Sequence, residues 1–578
     1  MRKFKNLIFS FFLVICCVHQ CLTHDSTFQN ATVYCNSCKY VYVTGIVRTI
    51  YENAYIDGQQ NPNRLNFTQV GLEEIQFGAF TNFSNLETLI LNSNNVKEIR
   101  SGVFRNLPLV NLFLYNNQIS TVHERAFCNL TSLRVLSLGK NILKKIPKGI
   151  FENVALWELH LGQNRIEEID VGAFANLPNL KVLNVNDNNL KVIKSGIFNN
   201  LPVEKLFLNN NTISTLEERA FYNLTSLQML SLENNKLKKI QTAVFENVAV
   251  LELQLGHNSI EEIEDGTNLT NLKVLIMNNN NLKEIESRIF GNLPVVSLFL
   301  NNNSISTLEG ASHNLKFLQT LSLESNNLKT IPKGIFENVT LRKLYLGQNR
   351  IEEINPEDFS SAHLVTLNLD KNLISKIRPG DLANLPTLRD LRISGNRLKF
   401  IPNGVFNGSA IENLDISHNQ ISGIESQAFD GMERLLKMKM GYNKLKIWDG
   451  NWFRGSWSSD WTPTFREIYA EYNDFEEIPG NAFQNFENNT FIIDLKWNKI
   501  KKIHDGAFNG ITYLQNLDLS HNEISEWGDL LDHMKIVGTV NVDDNKFDCI
   551  VFRYIIVPHL KLVPIHPCVD MGRCGNNY

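Results

Sequence analysis

The chain has 578 residues, too many for one compact core, so it either divides into domains or grows by repetition. With 43% hydrophobic and 20% charged residues it is not composed like a disordered chain. With a formal net charge of -4 the chain is not basic enough to suggest a general phosphate-binding surface, and no nucleic-acid partner is expected.

In chain order, Arg2, Lys3 and Lys5 followed by the apolar run from Leu7 to Val18 have the form of a secretory signal, taken as residues 1–23. The run is shorter than the roughly 20 residues a membrane-spanning helix needs, so a secreted, extracellular protein with no membrane span is expected. Six of the nine cysteines lie beyond this segment. Cys35 and Cys38 fall in an N-terminal cap, residues 24–61, and Cys549, Cys568 and Cys574 in a C-terminal cap, residues 549–578; in an oxidising compartment such terminal cysteines staple the open ends of a long core. Cys35 and Cys38 also have the spacing of a redox or zinc pair, but no second pair accompanies them, and neither a metal nor a cofactor is expected.

Between the caps, residues 62–548 repeat every 23 or 24 residues. The frame LxxLxLxxN, first complete at LETLILNSN from Leu86, returns at Asn117, Asn141, Asn164, Asn188 and onward to Asn545. About 20–21 such copies cannot come from composition, and the frame is the leucine-rich repeat signature. The last two leucines of LxxLxL alternate along a short strand and point inward, so the residues flanking them point outward. The asparagine turns the chain and can satisfy backbone groups that the turn leaves unpaired. A phenylalanine ten residues later, as at Phe104, Phe127, Phe151 and Phe174, supplies a second inner layer. The expected fold is an α/β leucine-rich repeat solenoid: a curved horseshoe with a parallel concave β-sheet and an irregular or 3-10 convex side.

The repeats also show which positions are free to vary. FENVALWELHLGQNRIEEI at 151 returns with changes at 245 and 336, and the positions that drift, Trp157, Glu158 and His160 in the first copy, are the x positions of LxxLxL. Along the central outward column the sequence places Phe113, Phe207 and Phe299 four strands apart, with Ser137, Ser231 and Ser322 between them. Beyond Asn372 the same column turns charged, with Arg392, Asp415, Lys439, Tyr469, Asp494 and Asp518. Phe113, His160, Phe207, Phe299, Tyr345, Arg392, Asp415, Lys439 and Tyr469 are therefore the candidate ligand-binding residues: aromatic anchors in the first half and orienting charges in the second. The bland alternative is duplication followed by drift on a tolerant surface.

Eleven N-x-S/T sequons occur, and Asn82, Asn129, Asn223 and Asn338 fall twelve residues after the asparagine beat, on the expected convex side, where glycans would leave the sheet open. A 30-residue step from Asn443 to Asn473 carries Trp448, Trp452, Trp457 and Trp461, which serve either as a contact site or as a plug for the irregularity. Cys574 is open to an intermolecular disulfide with a partner, or pairs with Cys568.

The cysteine-bearing N-terminal segment, the uninterrupted repeats and the cysteines after them resemble the extracellular leucine-rich repeat superfamily, in particular insect secreted leucine-rich immune proteins and Toll-like receptor ectodomains. That resemblance implies binding of a protein or glycan ligand through the concave sheet, in innate immunity. It departs in lacking a following coiled coil, a transmembrane or signalling segment and a close CxC in the C-terminal cap. A non-catalytic carrier subunit of a secreted enzyme, or a cell-adhesion or matrix protein, would use the same face. No GxSxG, HExxH, P-loop or GxGxxG is present, so no catalytic residue is assigned and the protein is not expected to be an enzyme.

Overall fold

The computed structural model describes residues 18–21, 31–36, 40–45, 47–51 and 61–547, the last apart from 265–268, 286–292, 310–315, 337–338, 360–362, 383–384, 433, 454–465, 485, 487–489, 512, 527 and 530–534. They belong to two units: unit 1 runs to Asn281 and takes in Asn292–Val295, and unit 2 comprises Leu282–Gly291 and everything from Val296. Asn338, Cys38, Cys549, Cys568, Cys574, Trp457 and Trp461 lie outside the described residues.

Each unit is a parallel β-solenoid. In unit 1 the strand Ala31–Asn36 pairs antiparallel with Tyr40–Gly45, which pairs in parallel with Arg64–Asn66. From there one strand per repeat adds in parallel as far as Val274–Ile276. In unit 2 the parallel ladder runs from Ser297–Phe299 to Lys535–Asn541. The repeats are in phase, so Leu112, Leu136 and Leu159 face one another across neighbouring strands, each with no exposed surface.

Many repeats also carry a feature that the leucine frame does not announce. Two-residue strands such as Glu98–Ile99 and Thr121–Val122 form a second short parallel pairing several residues beyond the asparagine. The side opposite the long sheet is made of turns and of 3-10 helices such as Thr242–Phe245 and Pro356–Phe359; none of the described residues is α-helical.

The beat asparagines tie each repeat to the one before. The amide of Asn164 donates to the carbonyls of Leu138, at 2.9 Å, and Leu161, at 3.0 Å, while its oxygen accepts from the amide of Leu143 at 3.0 Å. Behind the sheet Phe80, Phe104, Phe127, Phe151, Phe174, Phe198, Phe221 and Phe245 form an unbroken column with ring centroids 5.8–6.3 Å apart. Unit 2 continues the theme with Phe406, Phe429 and Phe453.

Two of the insertion's tryptophans belong to the core. Trp448 and Trp452 are at most 2% exposed, and their indole N–H groups donate to the carbonyls of Ala482 and Ile424, each at 3.1 Å. Trp448 lies against Trp452, Phe475 and Phe483, so this pair fills the widened repeat as a plug.

Candidate binding face

Because side chains alternate along a strand, burying the middle leucine of each repeat forces its two neighbours to the opposite face. In Asn111–Phe113 only Leu112 is buried, and the same pattern holds in Lys205–Phe207, Ser297–Phe299 and Lys343–Tyr345. Phe113, His160 and Phe207 of unit 1, and Phe299 and Tyr345 of unit 2, therefore stand half-buried on the outward face of the long sheet, outside the core.

In unit 1 the in-register row runs Ile90, Phe113, Ser137, His160, Asn184, Phe207, Ser231, Gln254, Ile276 and bears no carboxylate or lysine. The row keeps Phe113 and Phe207 apart, with three strands between them. His160 approaches Glu158 of its own strand at 3.2 Å. Trp157, just before that strand, is 53% exposed, with the Arg134 guanidinium 5.3 Å from its ring. In unit 2 the row runs Phe299, Ser322, Tyr345, Asn368, Arg392, Asp415, Lys439, Tyr469, Asp494, Asp518.

Here three of the sequence candidates converge. Arg392, Asp415 and Lys439 line a concavity of about 340 Å³ together with Asp370, Asp390, Asn413 and Lys437. Arg392 binds Asp390 through two N–H groups at 3.2 and 3.3 Å, which holds the guanidinium in its charged form. Lys439 lies 3.7 Å from Asp415, whose other oxygen accepts from the Ser417 hydroxyl at 2.5 Å. At the cavity wall Lys437 reaches Glu467 at 2.6 Å and sits 4.7 Å from the Tyr469 ring; that ion pair lowers the Glu467 carboxyl and raises the lysine.

Asp370, at the cavity wall, is pushed up to about 6 by burial, against the opposing pull of a 2.7 Å bond from the Ser394 amide; the like charge of Asp415 adds to the rise. Sequence reasoning missed Asp370 because it considered the x positions of LxxLxL, whereas Asp370 stands two residues before the beat asparagine. It missed Asp390 and Lys437 by following only the central column. Both lie in the adjacent outward column, which the same alternation predicts.

The repeat families match nearly all of this region. The BspA-type leucine-rich repeat region family matches residues 48–164 and 144–267, and the leucine-rich repeat family matches 270–328, 316–362, 339–398, 362–420, 409–458 and 464–547. The chain belongs to the leucine-rich repeat superfamily. No curated protein sequence matches it.

Leucine-rich repeat structures similar to it include YopM from Yersinia enterocolitica WA-314, at 19% identity and a TM-score of 0.52, over 87% of this chain and 91% of that one. Another is the Toll–Spatzle complex of Drosophila, at 18% identity and a TM-score of 0.53, covering 92% of this chain and 91% of that one. Its glycosylated form gives 16% identity and a TM-score of 0.56, with 92% of each chain covered. At such identities the likeness is one of fold. No helix among the described residues is long and apolar enough to cross a membrane.

Proposed function

We propose that this leucine-rich repeat protein is secreted and binds another macromolecule, a protein or a glycan, through the outward face of its long sheet, in innate immunity. The observation that carries the reading is the cavity of unit 2, where Arg392, Asp415 and Lys439 converge on an exposed face whose charges are only partly paired. A structural surface gains little from concentrating half-buried charge, because exposed pairs contribute only about 0–1 kcal/mol and desolvation opposes them. A partner that brings complementary charge recovers that cost. The Toll–Spatzle complex, a molecular hub in Drosophila development and innate immunity, supports the immune direction by analogy of fold. The signal-like segment 1–23, glycans at Asn82, Asn129, Asn223 and Asn338, and disulfides among Cys35, Cys38, Cys549, Cys568 and Cys574 complete the proposal, with Cys574 the thiol for a disulfide-linked partner.

Affinity capture from the source organism's extracellular fluid, with the whole chain and with an Arg392→Ala, Asp415→Ala, Lys439→Ala variant side by side, tests it. A partner captured by the first and lost by the second is expected, with crosslinks on the sheet face. A microbial or complement-like partner supports immunity, an enzyme points to the carrier alternative, and matrix or cell-surface components point to adhesion. Identical capture by both proteins would remove the face from the argument.

A further inference from the structure

The residue before the beat asparagine is left-handed throughout the solenoid. In unit 1 it is often asparagine, as at Asn116, Asn210, Asn234 and Asn279, with φ of 55 to 58°. Asparagine tolerates this region better than other residues with a Cβ. In unit 2 five consecutive turns put large rings there instead: His418, Tyr442, Tyr472, Trp497 and His521, with φ of 52 to 55°. Histidine tolerates that backbone, but tyrosine and tryptophan suit it poorly, so Tyr442, Tyr472 and Trp497 in succession call for a compensating interaction.

Part of the compensation is visible. The rings stack one on the next, with centroids 4.1 Å apart from His418 to Tyr442, 4.4 Å to Tyr472, 5.5 Å to Trp497 and 4.0 Å to His521, and interplanar angles of 8 to 17°. The strip nevertheless stays open to solvent: Tyr442 is 41%, Tyr472 36% and Trp497 45% exposed. The faces between neighbouring rings are consumed by the stacking, so along its length the strip offers ring edges outward. Sugar rings pack on aromatic faces, which along the strip are taken; apolar side chains and aromatic faces of a polypeptide pack on edges.

The surroundings are acidic on the sheet side. Asp415, Glu471, Asp494, Asp518 and Asp543 border the strip there, against Lys439 and Lys496, and Lys496 is already bound to Asp494 at 2.6 Å. One oxygen of Glu471 is buried with no hydrogen-bond partner, and the Asp518 carboxylate accepts from Ser520. On the other side Asp474 pairs with Lys499 and Glu523 with Lys546, each at 2.6 Å, and Lys444 adds one further positive charge in the same column. His521 closes the row against Asp544 at 2.8 Å.

We propose that the strip His418, Tyr442, Tyr472, Trp497 and His521, with its border of carboxylates, is a docking surface for an extended basic segment of a protein partner. Apolar side chains of that segment lie on the ring edges, and its lysines or arginines meet the unmatched carboxylates around Asp518. Tyr and Trp are the residues that most often dominate such contacts, and the surplus negative charge selects the sign of the partner.

Fluorescence polarisation with a labelled peptide of repeating Lys-Tyr-Gly units, its Glu-Tyr-Gly counterpart and a soluble neutral glucan tests this on the whole chain. The basic peptide is expected to bind saturably and the other two are not. A Tyr472→Asn, Trp497→Asn variant and, separately, Asp518→Asn are each expected to weaken it by about tenfold. Asparagine already occupies this turn position in unit 1, so the double variant keeps a compatible backbone, and a thermal melt checks its fold. His257→Asn, the same position in unit 1, leaves binding unchanged. Absence of saturable binding, equal binding of the acidic peptide, binding of the glucan instead, or variants that bind like the parent would each overturn the proposal.

Discussion

Asn164 shows what a single side chain does in this protein. Its one amide closes its own turn and fastens it to the preceding repeat, and it is 9% exposed, so water cannot replace the bonds it makes. Asn164→Ala leaves buried backbone groups unpaired at about 1–3 kcal/mol each, and a total loss on the order of 3 kcal/mol is expected in denaturant unfolding. A loss under about 0.5 kcal/mol, the scale of an ordinary surface change, would contradict that role. Asp370 works in the opposite direction. Its folded value of about 6 lies above the ordinary carboxyl value, so the folded state binds the extra proton and the group's contribution to stability falls as pH rises through about 6. Asp370→Asn keeps an oxygen for the Ser394 amide and removes the buried charge. At pH 7 the variant is expected to be more stable by on the order of 1 kcal/mol, since the group remains partly solvated, and the gain shrinks toward pH 4. Melts of both proteins across that range check the sign; a variant less stable at pH 7 would refute it.

At the scale of the element, the strand and its register were legible because burial of alternate leucines leaves no other choice of face. The outward position of Phe113, Phe207 and Phe299 follows from that alternation. The meeting of Arg392, Asp415 and Lys439 with Asp370 in one cavity does not, because it depends on the rotamers of neighbouring strands and on a turn residue outside the frame. The aromatic strip was hidden for a similar reason: each ring looks unremarkable within its own repeat, and only pairing of the turns brings the five into contact. The insertion gives a further test. Trp448→Phe keeps an aromatic ring but loses half of the indole, strips the Ala482 carbonyl of its donor and leaves a small void, so a loss of about 2 kcal/mol is expected. Hydrogen exchange should quicken first in the repeats around residues 424–483, and exchange changing equally everywhere would argue against a local plug.

Across each solenoid the repeats interact with their neighbours alone, and stability accumulates step by step. The phenylalanine column exposes that property directly. Phe151 and Phe174 touch at 6.1 Å, so Phe151→Ala and Phe174→Ala, each expected to cost about 3–5 kcal/mol, should couple by more than about 0.5 kcal/mol in a double-mutant cycle. Phe104 and Phe245 stand at distant points of the same column, and their effects should add. Equal coupling in both pairs would mean that the stack responds as one body. The sequence by itself determined the repeat, the strand register, the asparagine turns and the phenylalanine layer, because each is set by a local pattern that recurs at a fixed period and needs its neighbour only as a copy of itself. Tertiary structure alone decided the charged cavity, the second row of short strands, the fate of Trp448 and Trp452 and the stacked strip from His418 to His521. These arise where residues of different repeats meet at distances that periodicity brings near but that only packed side chains fix.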